Sequence, residues 1–438
     1  MNRRQPVYLE KVVYNLRGGF LVRPLSITVA LGFAGGALSS LEKAYPAIGG
    51  LVPRMLFPSR ADHQVAQTIL TTIASSVMTV VSIVFAIMLM SLTLASMQFS
   101  PRIIVSFTKD RVTQWTLGVF LGTFSYCVSA LPAARSIPPF APIATVTGAM
   151  LLGFICVVWL MFFIHHISQG ISVNFIVDRI ATETEAMIDE MMPKPMGEWT
   201  GNVNLPADER HEAYFVASIT SGYIRHIDLE KLYKFASSRH RCIKVIRRVG
   251  HFVPEGVNLI SISGIEPLGQ EQTKEILSAF DIGPTRTLQQ DVEFGVLQIV
   301  DVALRAISPA VNDPSTAICC IDHLSRILIL FGSRKPPIEC RYDSEGVLRL
   351  YCPVMGLDRM VHSAFDQIRS YSKGDAAVSL RMLRALSDVS NTVQTQEARV
   401  MLAEMGRRIL TGVASTLAEE ELKEMRARMH TLDRLARA

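Results

Sequence analysis

Arg305, Asn312, Asp313 and Ser315 fall within eleven residues and could hold a small ligand. Ser308-Pro309 closes one helix, and Asn312-Asp313-Pro314 opens the next, with Asp313 as N-cap and Pro314 at the first helical position. The unpaired N–H groups of a helix start can receive an anion. Asp313 would occupy that position itself, so the same four residues also read as a structural corner. A second set offers hydroxyls. Thr68, Thr72, Ser75, Thr79 and Ser82 recur three and four residues apart, which lines them along one face of a helix. Such a face either packs on another helix, bonding across or back to the carbonyl four residues earlier, or lines a hydrated path. In the second case the larger apolar run Ile83 to Met90 would serve as a dewetting constriction. Nothing in the set can coordinate an ion strongly.

Other reactive residues carry less. His165-His166 could relay protons or sit at a membrane surface. Cys319 and His323 stand one helical turn apart, which could begin a metal site, yet no second ligand pair accompanies them. Seven cysteines without a C-x-x-C give no disulfide framework. There is no P-loop, G-x-G-x-x-G, H-E-x-x-H or G-x-S-x-G, so no catalytic residue, cofactor or metal is expected.

The elements that position these residues are dominated by Thr68 to Gln98, thirty-one residues without a charge. A bilayer-spanning helix needs about 20 apolar residues, so this stretch is overlong and must tilt, bend or project. Pro24 to Leu41, Trp115 to Ala134 and Phe140 to Ile164 are also uncharged and long enough to span. Gly32, Gly35 and Gly36 in the first, and Gly118-x-x-x-Gly122 in the third, suit close helix packing. Residues 1–174 hold 12 Lys/Arg against 4 Asp/Glu, so the basic balance belongs to the membrane part and is no nucleic-acid footprint. Eight of these cations lie on the N-terminal flank and the loop between the second and third spans, four on the opposite side, which places both termini in the cytoplasm.

Beyond the fourth span, Phe175 to Met192 alternates apolar and acidic residues as an amphipathic helix. It is expected to continue the span as one stiff helix and stop at Pro193, ahead of a polar linker to residue 212. From 213 the pattern changes. Tyr214–Ile219, Cys242–Val249 and Val257–Ser263 read as strands, Asp228–Ser237 and Gly269–Phe280 as helices. Asp291 to Ile307 is apolar enough to be a buried helix, and Asp343 to Gly346 a hairpin turn. Helices follow at about 357–371, 376–390, 394–412 and 416–436, the last with an arginine face of Arg426, Arg428, Arg434 and Arg437. The expected fold is an α-helical membrane protein with four transmembrane helices plus a C-terminal α+β cytoplasmic domain. Its divisions are 1–174, 175–212 and 213–438.

Two stretches carry a resemblance. Met97 to Cys127 (MQFSPRIIVSFTKDRVTQWTLGVFLGTFSYC) and Asp291 to Ala317 (DVEFGVLQIVDVALRAISPAVNDPSTA) resemble a bacterial family of predicted membrane proteins of unknown function, DUF2254. The resemblance implies a membrane protein with a cytoplasmic domain, and brings no activity or site residues with it. The residues themselves lead to an oligomeric ion channel or small-solute conduit of the inner membrane, controlled by its cytoplasmic domain. The alternative is a membrane-anchored sensor or scaffold whose domain binds a small ligand or protein partner. The lipid bilayer and a homo-oligomer are the expected partners, and nucleic acid is not.

Overall fold

The computed structural model describes residues 22–52, 63–98, 111–134, 140–170, 172–192, 213–264, 268–334 and 340–437. Residues 1–21 of the basic N-terminal flank and the polar linker 193–212 expected above lie outside them. The chain divides into two compact units, Met1–Ser172 and Val173–Ala438.

The first unit is built from α1 (Val22–Ala44), α2 (His63–Gln98), α3 (Arg111–Ala134) and α4 (Ile143–Gly170), with a 3-10 turn at Pro46–Leu51. At 1.5 Å per residue, the 36 residues of α2 extend about 54 Å. α1, α2 and α4 all pack on α3. Small residues permit this. A Cβ at Gly118 would stand 2.7 Å from Ile27 Cδ1, one at Gly122 2.5 Å from Leu31 Cδ1, and one at Gly35 2.5 Å from the Tyr126 carbonyl oxygen. The two glycine faces therefore pack on each other, α1 against α3, and Ser129 Oγ donates across to the Gly32 carbonyl at 2.7 Å. Ala66, Leu70, Ala74, Val77, Val81 and Val84 form the buried side of α2. α4 turns Met150, Leu151, Phe154, Val157, Val158, Met161 and Phe162 outward.

The second unit begins with α5 (Val173–Met191). The expected single helix running out of the fourth span is replaced by two: α4 ends at Gly170 and α5 starts at Val173. α5 buries Ile176, Val177, Ile180, Ala181 and Ile188, and packs within this unit on α8 (Val292–Ala306) and α9 (Pro314–Ser333). Its acidic face meets Arg326 of α9 and Arg334 at that helix's C-cap. Arg326 reaches Glu185 at 2.5 and 2.7 Å and Asp178 at 2.8 Å, and Arg334 pairs with Asp189.

The sheets come next. β1 (Ala213–Ala217), β5 (Asn258–Ser263), β3 (Ile243–Val245), β8 (Leu348–Tyr351) and β7 (Cys340–Tyr342) form one sheet in that order. It is antiparallel except where β3 meets β8. β4 (Phe252–Val253), β2 (Gly222–Ile227) and β6 (Phe280–Gly283) form a second, antiparallel sheet. α6 (Leu229–Ser238) and α7 (Gln270–Leu277) complete this layer around Ile224, Leu232, Phe235, Ile243, Ile260 and Ile262. The remaining helices α10 (Leu357–Tyr371), α11 (Ala376–Thr392), α12 (Gln396–Val413) and α13 (Glu419–Arg437) lie within three residues of the expected limits.

Among the described residues five helices are long and apolar enough to cross a membrane, one more than the four expected spans. The first four are α1 to α4, and the fifth is α9. α9 qualifies because its core-facing side is continuous, from Ala317 through Cys320, Ile321, Leu324, Ile327 and Leu328 to Phe331. Its other faces carry Asp322, paired with Arg381 of α11, and Arg326, paired with α5.

Candidate functional site

The five hydroxyls of α2 all face outward. Thr68, Thr72, Ser75, Thr79 and Ser82 are exposed, and the opposite side of the helix makes the contacts with α3 and α4. Thr68 donates to the Gln64 carbonyl at 2.8 Å, Thr79 to Ser75 and Ser82 to Met78 at 3.1 Å, and Ser75 to Thr72 at 3.1 Å. Back-bonding of this kind satisfies the hydroxyl hydrogen locally and leaves its lone pairs outward. Among the described residues the contacts of α2 with other helices run along its opposite side, and Gly118 and Gly122 of α3 seat side chains of α1. At one edge of the face, Thr72 and Ser76 border a groove of about 190 Å³ that runs along Val80, Phe120, Gly153 and Val157. Farther along α2, Ile83, Leu89 and Met90 are exposed.

Within the corner at 305–315, Asp313 is the N-cap of α9 and Pro314 opens the helix, as the sequence indicated. Asp313 caps α9, accepting from Thr316 N at 3.1 Å and Thr316 Oγ1 at 2.6 Å, and these bonds hold its carboxyl below the usual range. Asn312 takes a left-handed backbone (φ 49°), and Asp313 N donates to the Ala306 carbonyl at 2.8 Å. Arg305 lies in the last turn of α8, and Ser315 is exposed. Asp313 thus fills the anion position of its own helix. His323 faces Asp178 and Arg326, and among the described residues no group of three or more His, Cys, Asp or Glu converges to hold a metal ion.

A third arrangement was not visible beforehand. A cavity of about 160 Å³ in the second unit is lined by Met192, Ile227, Leu229, Val249, Phe331 and Met360, among others, and by the polar residues Arg248, Gln290, Asp291 and Glu293. Asp291 caps α8, accepting from Phe294 N at 3.1 Å, and takes two bonds from Arg286 at 2.7 and 2.8 Å. Glu293 accepts from Arg286 and Arg248, each at 3.2 Å, and from Ser363 Oγ at 2.9 Å, with Arg359 at 3.8 Å. Gly250, with φ 87°, lets the backbone pass this knot, where a Cβ would stand 2.6 Å from Asp291 Oδ2. Burial raises the Glu293 carboxyl, but Arg248, Ser363 and Arg286 outweigh it and hold the group below its ordinary range. Burial likewise lowers Arg248, which Glu293 opposes. His251 is lowered by burial and by Arg248, Arg359 and Arg247. The signal in the sequence was Asp291-x-Glu293 at the head of an apolar helix. Buried acids require partners, but nothing local says that Arg248 supplies one.

Comparison with known proteins gives the class. The family model described as "Predicted membrane protein (DUF2254)" matches residues 17–388. The chain belongs to this family. The match contains the hydroxyl face and the arginine–carboxylate knot, and stops inside α11. Uncharacterized proteins of Mycobacterium tuberculosis and Mycobacterium bovis are each 30% identical over 442 residues, covering 96% of this chain and 83% of the relative. No solved structure matches. With its run of apolar helices, this family member is a multi-pass membrane protein.

Proposed function

We propose that the protein is an oligomeric conduit for ions or small solutes, with the hydroxyl face of α2 as its wall. One contrast carries the reading. Between Met150 and Ile164 the outward side of α4 is wholly apolar, as a lipid-facing surface should be, whereas the outward side of α2 from Thr68 to Ser82 is dominated by hydroxyls. Helices that meet only lipid have no need of such a face. A second copy of α2 across a hydrated path makes use of it, and Ile83, Leu89 and Met90 supply an apolar narrowing beyond. In this reading α1 to α4 are the four spans of an inner-membrane protein, both termini are cytoplasmic, and α9 stays with the second unit because Asp322 and Arg326 are held by ion pairs there.

The test is flux from liposomes containing the full-length protein. Thr79→Leu and Ser82→Leu should reduce it, and Val158→Leu on the outward face of α4 should not. Undiminished flux in well-folded Thr79 and Ser82 variants would remove α2 as the wall.

A membrane-anchored binding protein is the second reading, favoured by the cavity beside Arg248 in the second unit. It requires that a ligand occupy that cavity.

A further inference from the structure

We propose that the cavity beside Arg248 binds a small apolar monocarboxylate, a single ring or about six carbons in size. This rests on the reading of the cavity as a binding site and names its ligand class. The size follows from volume. An apolar cavity of roughly 150 Å³ holds one benzene molecule, and this one measures about 160 Å³. Its walls of Met192, Ile227, Leu229, Val249, Phe331 and Met360 favour a hydrocarbon body.

The charge follows from which polar groups of the lining are already engaged. The Gln290 amide is closed on the backbone of Ile227, accepting at 3.0 Å and donating at 3.4 Å. Asp291 is held by Arg286 and by Phe294 N. Glu293 is shared among three guanidinium groups, those of Arg286, Arg248 and Arg359. Three cations therefore meet two carboxylates, leaving one positive charge in excess. Arg286 directs its donors at both acids, and Arg359 is more than half exposed to water. The excess falls on Arg248, whose side chain is 13% exposed and, among the described residues, makes one hydrogen bond, to Glu293. A guanidinium has five N–H donors in a planar fork, and a carboxylate matches that fork. A buried cation with a shared partner beside an apolar chamber is complementary to an apolar body bearing one negative charge.

The experiment is isothermal titration calorimetry on the full-length protein in nanodiscs, against empty nanodiscs. The ligands are benzoate, the neutral benzyl alcohol, hexanoate and decanoate. Benzoate should bind about tenfold or more tightly than benzyl alcohol, the difference made by one charge-assisted hydrogen-bonded contact. Arg248→Gln should remove that advantage and leave benzyl alcohol unchanged. Arg248→Lys, which keeps the charge and loses the fork, should retain part of it and guards against misfolding of the first variant. Val249→Phe, which fills the chamber and keeps every charge, should abolish binding of both. If benzoate and benzyl alcohol bind equally, the carboxylate assignment falls while the cavity remains a binding site. If neither binds, both readings fall. Decanoate binding more tightly than hexanoate would overturn the small-ligand class in favour of lipid acyl chains.

Discussion

Glu42 gives the sharpest test of how the first unit is assembled. It is 1% exposed, and its carboxylate closes the start of α4. Ala144 N donates to Oε1 at 2.7 Å, while Thr145 N and Thr145 Oγ1 donate to Oε2 at 3.0 and 2.8 Å. The first N–H groups of a helix have no partner within it, and its N-terminus carries partial positive charge. One side chain of α1 therefore caps a helix a hundred residues away. Glu42→Ala leaves two N–H groups and a hydroxyl unmatched in a buried place. Loss of a cap costs about 0.5–2 kcal/mol and each hydrogen bond to a charged group contributes about 1.5–3, non-additively, so about 3 kcal/mol is expected. For a unit of this size that lowers the melting temperature by roughly 6–12 °C. Glu42→Gln keeps the shape and one acceptor but points an amide donor at other donors, and should show about half the effect. Two of the three tryptophans, Trp115 and Trp159, lie in this unit, so with Trp199 replaced by Phe in every chain compared, tryptophan fluorescence during heating reports on it. A melt of Glu42→Ala that matches the unaltered protein would refute the cap and the α1–α4 tie together.

Two further perturbations test the packing and the knot. Gly122→Leu drives a side chain into Leu31, already 2.5 Å from an added Cβ, so it should destabilise the unit by about 1–3 kcal/mol or more, with Gly122→Ala milder; a rise in melting temperature would contradict the α1–α3 contact. Acidification should weaken the second unit in two steps. His251 is depressed, so the unfolded chain takes its proton first and stability falls as pH drops below about 6.5; Glu293 is depressed, so its contribution is present above about 4.3 and is lost as pH falls through its lower folded value. Chemical denaturation across that range should show Glu293→Gln flattening the lower step, and an unchanged lower step would exclude Glu293 as its source.

What could be read beforehand was local. Asp313 stands before helical periodicity, and it accepts from the N–H three residues on at 3.1 Å. The apolar face of α8 announced its burial, and Asp343 to Gly346 its turn, where Gly346 adopts φ 78°. What escaped depends on distant partners. β2, reading GYIRHI, puts Arg225 and His226 among its apolar residues, and only pairing with β4 and β6 makes it a strand. Two-residue β4 has no pattern to detect. The break between α4 and α5 hid in a stretch whose periodicity runs on through it. α9 satisfies every one-dimensional criterion for a span, because a helix buried on one broad side by protein and one buried by lipid present the same apolar run. Arg248 and Glu293 are 45 residues apart, and no spacing rule joins them.

The hydroxyls of the first unit fall into two kinds, and the difference makes the flux experiment interpretable. Those that join helices involve α3, apart from Thr145 of α4, which donates to Glu42 of α1. Ser129 donates to Gly32 of α1, Thr116 accepts from Trp159 Nε1 of α4 at 2.9 Å, and Thr123 Oγ1 lies 3.3 Å from Cys156 Sγ of α4. α2 is tied to α3 by Gln67, whose Nε2 donates to the Ala134 carbonyl at 2.9 Å, and by apolar contacts of Leu70, Val77 and Val84. Thr79 and Ser82 take part in neither set. Their bonds close within α2 and their side chains stand outside the core. Replacing them with leucine removes no link between described helices and improves helix propensity. Such variants should fold and insert as the unaltered chain does, so any change in flux reports on what the outward face of α2 meets.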